Sequence, residues 1–155
     1  MRILHTADWH FGRQLEGRDR RGEQSDVVDE LCRIAEEKDV QLVLIAGDVY
    51  DSVNPPAWAE ELFYTALERL SAGGRRAVVV IAGNHDQPER VRAAAPIASK
   101  QGIVLLGLPK ETPILSGSDA PRDKVRVLDG GPSWMELAVP GVEHHAGSLA
   151  LPYPS

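Results

Sequence analysis

Val43-Leu44-Ile45-Ala46-Gly47-Asp48-Val49-Tyr50-Asp51 runs four apolar residues into a glycine and two carboxylates. Near-continuous hydrophobicity of this kind suits a strand buried on both faces. The same grammar recurs on either side. Upstream, Arg2-Ile3-Leu4-His5-Thr6-Ala7 leads into Asp8-Trp9-His10. Downstream, Val78-Val79-Val80-Ile81-Ala82 leads into Gly83-Asn84-His85-Asp86. Strands are therefore expected over 2–7, 41–46 and 77–82, each ending on a short polar motif.

Helical patterns fill the intervals. Val27, Val28, Leu31, Ile34 and Ala35 recur at three- and four-residue spacing and predict a helix over about 23–38. Asn54-Pro55-Pro56 predicts the start of a second, with Asn as cap and Pro in the first turn. Leu62, Phe63, Ala66, Leu67 and Leu70 give that helix one apolar face, and Gly73-Gly74 ends it. The resulting βαβαβ order implies right-handed crossovers and a parallel sheet. Residues 89–99 predict a weaker helix limited by Pro96, and Ile103–Leu106 a fourth strand. Alternating runs at Lys124–Leu128, Met135–Val139 and Ser148–Leu151 then suggest antiparallel strands of a second sheet. The fold class expected is α/β. The final Leu151-Pro152-Tyr153-Pro154-Ser155 directly follows a strand-like run, which points to a chain cut within its domain.

At 155 residues the chain amounts to one domain or part of one, and 43% hydrophobic with 26% charged residues is ordinary for a globular protein. No apolar run approaches a membrane span, and the N-terminus lacks a signal-peptide core, so a cytoplasmic address is expected. The lone Cys32 excludes an internal disulfide and sits in the first helical pattern as a small apolar residue. The net charge of −6 does not advertise nucleic acid, although bound cations would cancel part of it.

In an open parallel sheet, functional loops gather at the carboxyl ends of the strands. If the three strands are neighbours, Asp8, His10, Asp48, Asn84 and His85 share one crevice. An extended backbone would aim Asp8 and His10 the same way, two residues apart. Gly47 and Gly83 permit sharp turns and close approach. Asp48 has two oxygens with which to bridge two cations. Oxygen ligands mixed with imidazole suit Mn²⁺, Fe²⁺ or Zn²⁺ better than Ca²⁺. Two such ions lower the pKa of a bridging water and clamp a phosphoryl oxygen. Each motif alone is common by chance, but the ordered triple is specific.

These motifs resemble the calcineurin-like metallophosphoesterase superfamily, whose pattern runs D-x-H, G-D-x-x-D, G-N-H-[DE]. Leu4-His5-Thr6-Ala7-Asp8-Trp9-His10-Phe11-Gly12 further resembles the SbcD family of bacterial exonuclease subunits. So do Ala46–Asp51 with Pro55-Pro56, Ala82–Asp86 and, weakly, Ala150–Pro154. The resemblance implies a two-sheet sandwich flanked by helices, of which this chain holds the first sheet and part of the second. It implies two divalent cations, Mn²⁺ foremost. Asp8 and His10 would bind the first, Asp48 would bridge, Asn84 would bind the second, and His85 would be the catalytic imidazole. Asp51 would orient His85 and keep it protonated, while Asp86 matches the motif or serves a turn. The implied activity is metal-dependent DNA hydrolysis, 3′ to 5′ exonucleolytic and single-strand endonucleolytic. The implied partner is an SbcC-type ATPase, in a heterotetramer built on a homodimer of the nuclease.

The family's later Gly-His and Gly-His-x-His motifs do not occur here. His144-His145 reads as a solvated loop, and His5 as a core or sheet-face residue. The second metal's shell is therefore expected to be incomplete in this chain, with weak or no activity. Arg13, Arg18, Arg20 and Arg21 follow the first motif, and Arg90 and Arg92 the third; Arg13 is the leading candidate for DNA phosphate contact. Trp9 and Phe11 read as core under the site, while Trp58 packs or faces a partner. The rival readings are another phosphoesterase of the superfamily, acting on phosphomonoesters or cyclic nucleotides, and a non-catalytic fragment.

Overall fold

A computed structural model describes residues 1–154. Strand β1 (Ile3–Thr6) is followed by a small hairpin of β2 (Gln14–Leu15) and β3 (Arg18–Asp19). Strands β4 (Leu42–Ala46), β5 (Ala77–Ile81) and β6 (Ile103–Leu106) join β1 in a parallel sheet of order β1-β4-β5-β6. Helices α1 (Arg21–Glu37) and α2 (Ala57–Ser71) cross between β1, β4 and β5. A three-stranded antiparallel sheet, β7 (Arg126–Gly131), β8 (Trp134–Ala138) and β9 (Ala146–Leu149), completes the described strands. No helix among the described residues is long and apolar enough to cross a membrane.

Side-chain alternation sorts the parallel strands into two cores. Val43, Ile45, Val78 and Val80 face the helices and join Trp9, Phe11, Phe63 and Leu70. Leu42, Ala77, Val79 and Leu106 face the second sheet and join Val127, Met135 and Leu137. The molecule is thus layered as helices, parallel sheet, antiparallel sheet. Burial on both faces holds for β4, β5 and β6. It fails for β1, the edge strand, where Ile3 and the sheet-face His5 are exposed.

Several local expectations change. Asn54 does not cap α2; Pro56 takes the cap position with extended backbone, and Asn54 Oδ1 instead accepts from Arg90 Nη2 at 3.4 Å. Consecutive prolines hold the preceding residue extended and delay the helix. The helix expected over 89–99 breaks into α3 (Pro88–Arg92) and α4 (Ala95–Ala98), because Pro96 has no N–H and is accommodated only in a first turn. Residues 14–19, expected as loop or helix entry, form the β2–β3 hairpin, turned at Glu16 (φ 50°) and Gly17 (φ 76°). The strands of the second sheet lie about two residues from their predicted places.

Arg76 ties the helix ends to the sheet. Its buried guanidinium donates to the carbonyls of Val40 and Leu70 at 2.8 Å and of Ala35 at 3.3 Å. Removing those donors leaves buried carbonyls unpaired. Arg76→Met is expected to lower stability by roughly 2–4 kcal/mol, read as a lower urea midpoint at unchanged slope.

Candidate metal centre

The sheet register places the three motifs in one row. Thr6 pairs with Ile45, and Ile45 with Val80, so Asp8, Asp48 and Gly83 leave the sheet side by side. Backbone bonds then stitch the loops together. The N–H groups of Asp8, His10 and Phe11 donate to the carbonyls of Gly47, Asp48 and Val49 at 3.1, 2.9 and 2.9 Å. Asp51 N–H returns to Phe11 O at 3.1 Å.

The extended geometry expected for Asp8-Trp9-His10 is not what aims these ligands. Asp8 (φ 57°), His10 (φ 47°) and Asp48 (φ 51°) all adopt left-handed backbone. For a side chain with a Cβ this costs about 1–2 kcal/mol per residue. Three such residues at one spot mark a constrained site. The conformation turns their ligand atoms together. His10 Nε2 lies 3.8 Å from Asp8 Oδ1 and 3.9 Å from Asp48 Oδ2, and the three ligand atoms all fall within 4.8 Å of one another. Ligands held about 2.1 Å from one cation stand roughly 3 to 4.2 Å apart, so the spacing fits a single divalent ion. Side-chain exposure falls from 72% at Asp8 to 14% at Asp48, which grades the site from open to closed.

Asp48 Oδ1 also accepts the His85 backbone N–H at 3.0 Å. The imidazoles of His10 and His85 meet edge to face, with centroids 5.1 Å apart. Asp51 departs from expectation. Its carboxylate lies 3.4 Å from His10 Nδ1, and its backbone carbonyl, rather than its carboxylate, meets His85 Nδ1 at 3.2 Å. A carbonyl only accepts, so His85 carries its proton on Nδ1 and leaves Nε2 for the site. Asp51 thus orients both rings, one through each of its oxygen types, and the implied Asp51–His85 charge pair is not formed. Asn84 is exposed and lines a cleft of about 390 Å³ with Asp8, Asp48 and Leu151–Pro154.

Asp86 holds this arrangement from below. It is 6% exposed, and its carboxylate accepts from the N–H groups of Gly83, Val49 and Tyr50 at 2.8, 3.1 and 2.9 Å. It is a clamp between the second and third loops, not a turn residue. Asp86→Ala leaves three buried N–H groups unpaired and is expected to remove roughly 2–4 kcal/mol of stability, measured by denaturant unfolding of the metal-free chain. Sequence reasoning misses Gln24, whose buried amide reaches the first loop from α1. The available signal is a polar residue on the apolar stripe, four positions before Val28 and eleven before Ala35.

The other sequence candidates separate cleanly. Among the described residues, only Asp8, His10 and Asp48 form a three-ligand group. His145 instead pairs with Glu136 at 2.6 Å on the second sheet. Arg20, Arg21, Arg90 and Arg92 pair with Glu23, Glu61, Glu60 and Glu111, and Arg21 also lies over the Trp58 ring. Arg13 and Arg18 are exposed and, among the described residues, form no ion pair. Trp9 and Phe11 are core residues, as expected. Burial pushes the Cys32 thiol above its usual range, which suits a packing role.

The chain is similar to the SbcD component of the SbcCD nuclease from three bacteria. Identity is 55% over 114 residues with that of Bacillus subtilis (strain 168), covering 74% of this chain and 29% of the relative. It is 37% over 130 residues with that of Rhodobacter capsulatus, covering 83% and 32%. It is 40% over 86 residues with that of Escherichia coli K12, covering 56% and 21%. The chain therefore spans a third or less of the length of these relatives. The family described as calcineurin-like phosphoesterase matches residues 1–144, a stretch that contains every ligand candidate above. Divalent-metal binding belongs to that family, and the left-handed Asp8–His10–Asp48 cluster is where this fold provides for it. The chain belongs to the calcineurin-like phosphoesterase family.

Proposed function

We propose that this chain carries the metal-binding part of a DNA nuclease of the SbcD type, hydrolysing phosphodiester bonds. The observation that carries the reading is the convergence of Asp8, His10 and Asp48 in a chain 55% identical over 114 residues to a component of a nuclease. Two divalent cations are proposed, Mn²⁺ foremost, with Asp8, His10 and Asp48 at the first and Asp48 and Asn84 toward the second. When bound, such ions supply Lewis acidity toward a phosphoryl oxygen and lower the pKa of a water. His85 turns Nε2 to the site and acts on the scissile phosphate and its departing oxygen. Arg13 and Arg18, free of carboxylate partners among the described residues, take the DNA backbone. By the names of its relatives, the partner is an SbcC-type ATPase, with the nuclease as a homodimer in a heterotetramer. A DNA substrate suits a cytoplasmic address.

With one three-ligand group among its described residues, the 155-residue chain is proposed to hold one cation well and the second poorly. Its nuclease activity should lie at least about a hundredfold below that of the Bacillus subtilis relative under the same conditions. The deciding experiment compares Mn²⁺-dependent release of nucleotides from linear duplex DNA with hydrolysis of an aryl phosphomonoester and of a cyclic nucleotide. Preference for DNA supports the nuclease. Preference for either small substrate replaces it with the rival phosphoesterase reading.

A further inference from the structure

We propose that Gln24 is a positioning residue that sets the direction of the His10 imidazole toward the metal. The proposal rests on the reading that Asp8, His10 and Asp48 hold a divalent cation. Gln24 stands in the first turn of α1 and is only 9% exposed. Its Nε2 donates to the His10 carbonyl at 2.8 Å, and its Oε1 accepts from the Gly12 N–H at 3.1 Å. On the other side, the His10 N–H donates to the Asp48 carbonyl at 2.9 Å. The two peptide planes flanking His10 are therefore held from opposite directions, one by the bridging-ligand loop and one by Gln24.

That grip matters because His10 sits at φ 47°, a backbone state that relaxes readily to the right-handed or extended region. Relaxation would swing Nε2 away from Asp8 and Asp48. The turn cannot be held by its own shape alone. Gly12 has φ 96°, accessible to glycine and little else, and glycine moves freely unless something fixes it. A primary amide suits the place because it offers one donor and one acceptor in a single plane. Glutamate has the same shape but two acceptors, which would set oxygen against oxygen at the His10 carbonyl. Methionine has similar length and no comparable donor.

The test titrates the 155-residue chain with MnCl₂ by calorimetry at 15 °C and records melting in EDTA for Gln24→Glu, Gln24→Met and His10→Ala. Removing groups that orient a metal-ligating histidine typically weakens affinity about 10- to 100-fold. Gln24→Glu is expected to weaken Mn²⁺ binding by about tenfold or more while remaining folded at 15 °C. Gln24→Met is expected to weaken it at least as much, and if it fails to fold, the isosteric glutamate variant decides alone. Wild-type Mn²⁺ affinity in Gln24→Glu, whatever its melting temperature, overturns the proposal and leaves Gln24 a purely structural residue. His10→Ala binding as tightly as the unaltered chain, or no saturable binding by the unaltered chain, removes the metal reading itself and the proposal with it.

Discussion

Gly83→Ala is expected to weaken Mn²⁺ binding by at least about a hundredfold, or close to 3 kcal/mol. A methyl group at this position would stand 2.1 Å from Asp48 Oδ1 and 2.3 Å from the Asp48 backbone nitrogen. Neither atom belongs to a flexible side-chain end. The carboxylate is the proposed bridging ligand, and the backbone is fixed by the neighbouring N–H bonds from Val49 and Tyr50 to Asp86. Gly47 closes the other side: at φ 88°, its own added Cβ would lie 2.9 Å from Gly83 Cα. The second and third loops therefore touch backbone to backbone, with no room for a side chain between them. Relief requires the Asp48 loop to move, which takes Oδ2 away from His10 Nε2. Stability should also fall by about 1–3 kcal/mol from overpacking. Calorimetric titration with MnCl₂ and denaturant unfolding of the same sample separate the two effects. Unchanged affinity in Gly83→Ala would show that the loops yield without moving Asp48.

His85→Ala should behave in the opposite way. What links His85 to Asp48 is its backbone N–H, which alanine keeps. The side chain contributes only the Nδ1–H to the Asp51 carbonyl and the free Nε2. Mn²⁺ affinity is therefore expected to stay within about threefold, a change of less than about 1 kcal/mol. Turnover should drop by roughly 10²–10⁴, the usual contribution of a positioned acid or base. An activated phosphodiester such as bis(p-nitrophenyl) phosphate gives a measurable rate even for a weak catalyst. A variant that keeps its rate removes His85 from the chemistry. One that loses its metal makes His85 a ligand rather than an acid.

Much of the fold is written in the pattern of apolar residues. The runs at 41–46 and 77–82 alternate between two cores, so they read as continuous hydrophobicity and are recognisable as buried strands. β6 is legible to the residue. What the pattern does not carry is the pairing of polar side chains with distant backbone. Arg76, Asp86 and Gln24 each satisfy main-chain groups far along the chain, and nothing in residue order says which N–H or carbonyl will lack a partner. The motif glycines are legible as sites of close approach, and the 2.1 Å clearance at Gly83 bears this out. The left-handed backbone of Asp8, His10 and Asp48 is not legible, because local preference disfavours it and only the surrounding loop bonds impose it. For the same reason motif matching pairs the Asp51 carboxylate with the wrong ring. Its carboxylate and carbonyl point to different histidines, a distinction set by the Phe11–Asp51 backbone bond.

Everything above turns on Asp8, His10 and Asp48 forming one divalent-cation site. Mn²⁺ binding to the 155-residue chain, followed by electron paramagnetic resonance and compared with Asp48→Ala, tests it most directly. One tightly held Mn²⁺ per chain is expected, with affinity reduced at least about a hundredfold in Asp48→Ala. Equal binding by the two proteins, or no saturable binding by either, would contradict it.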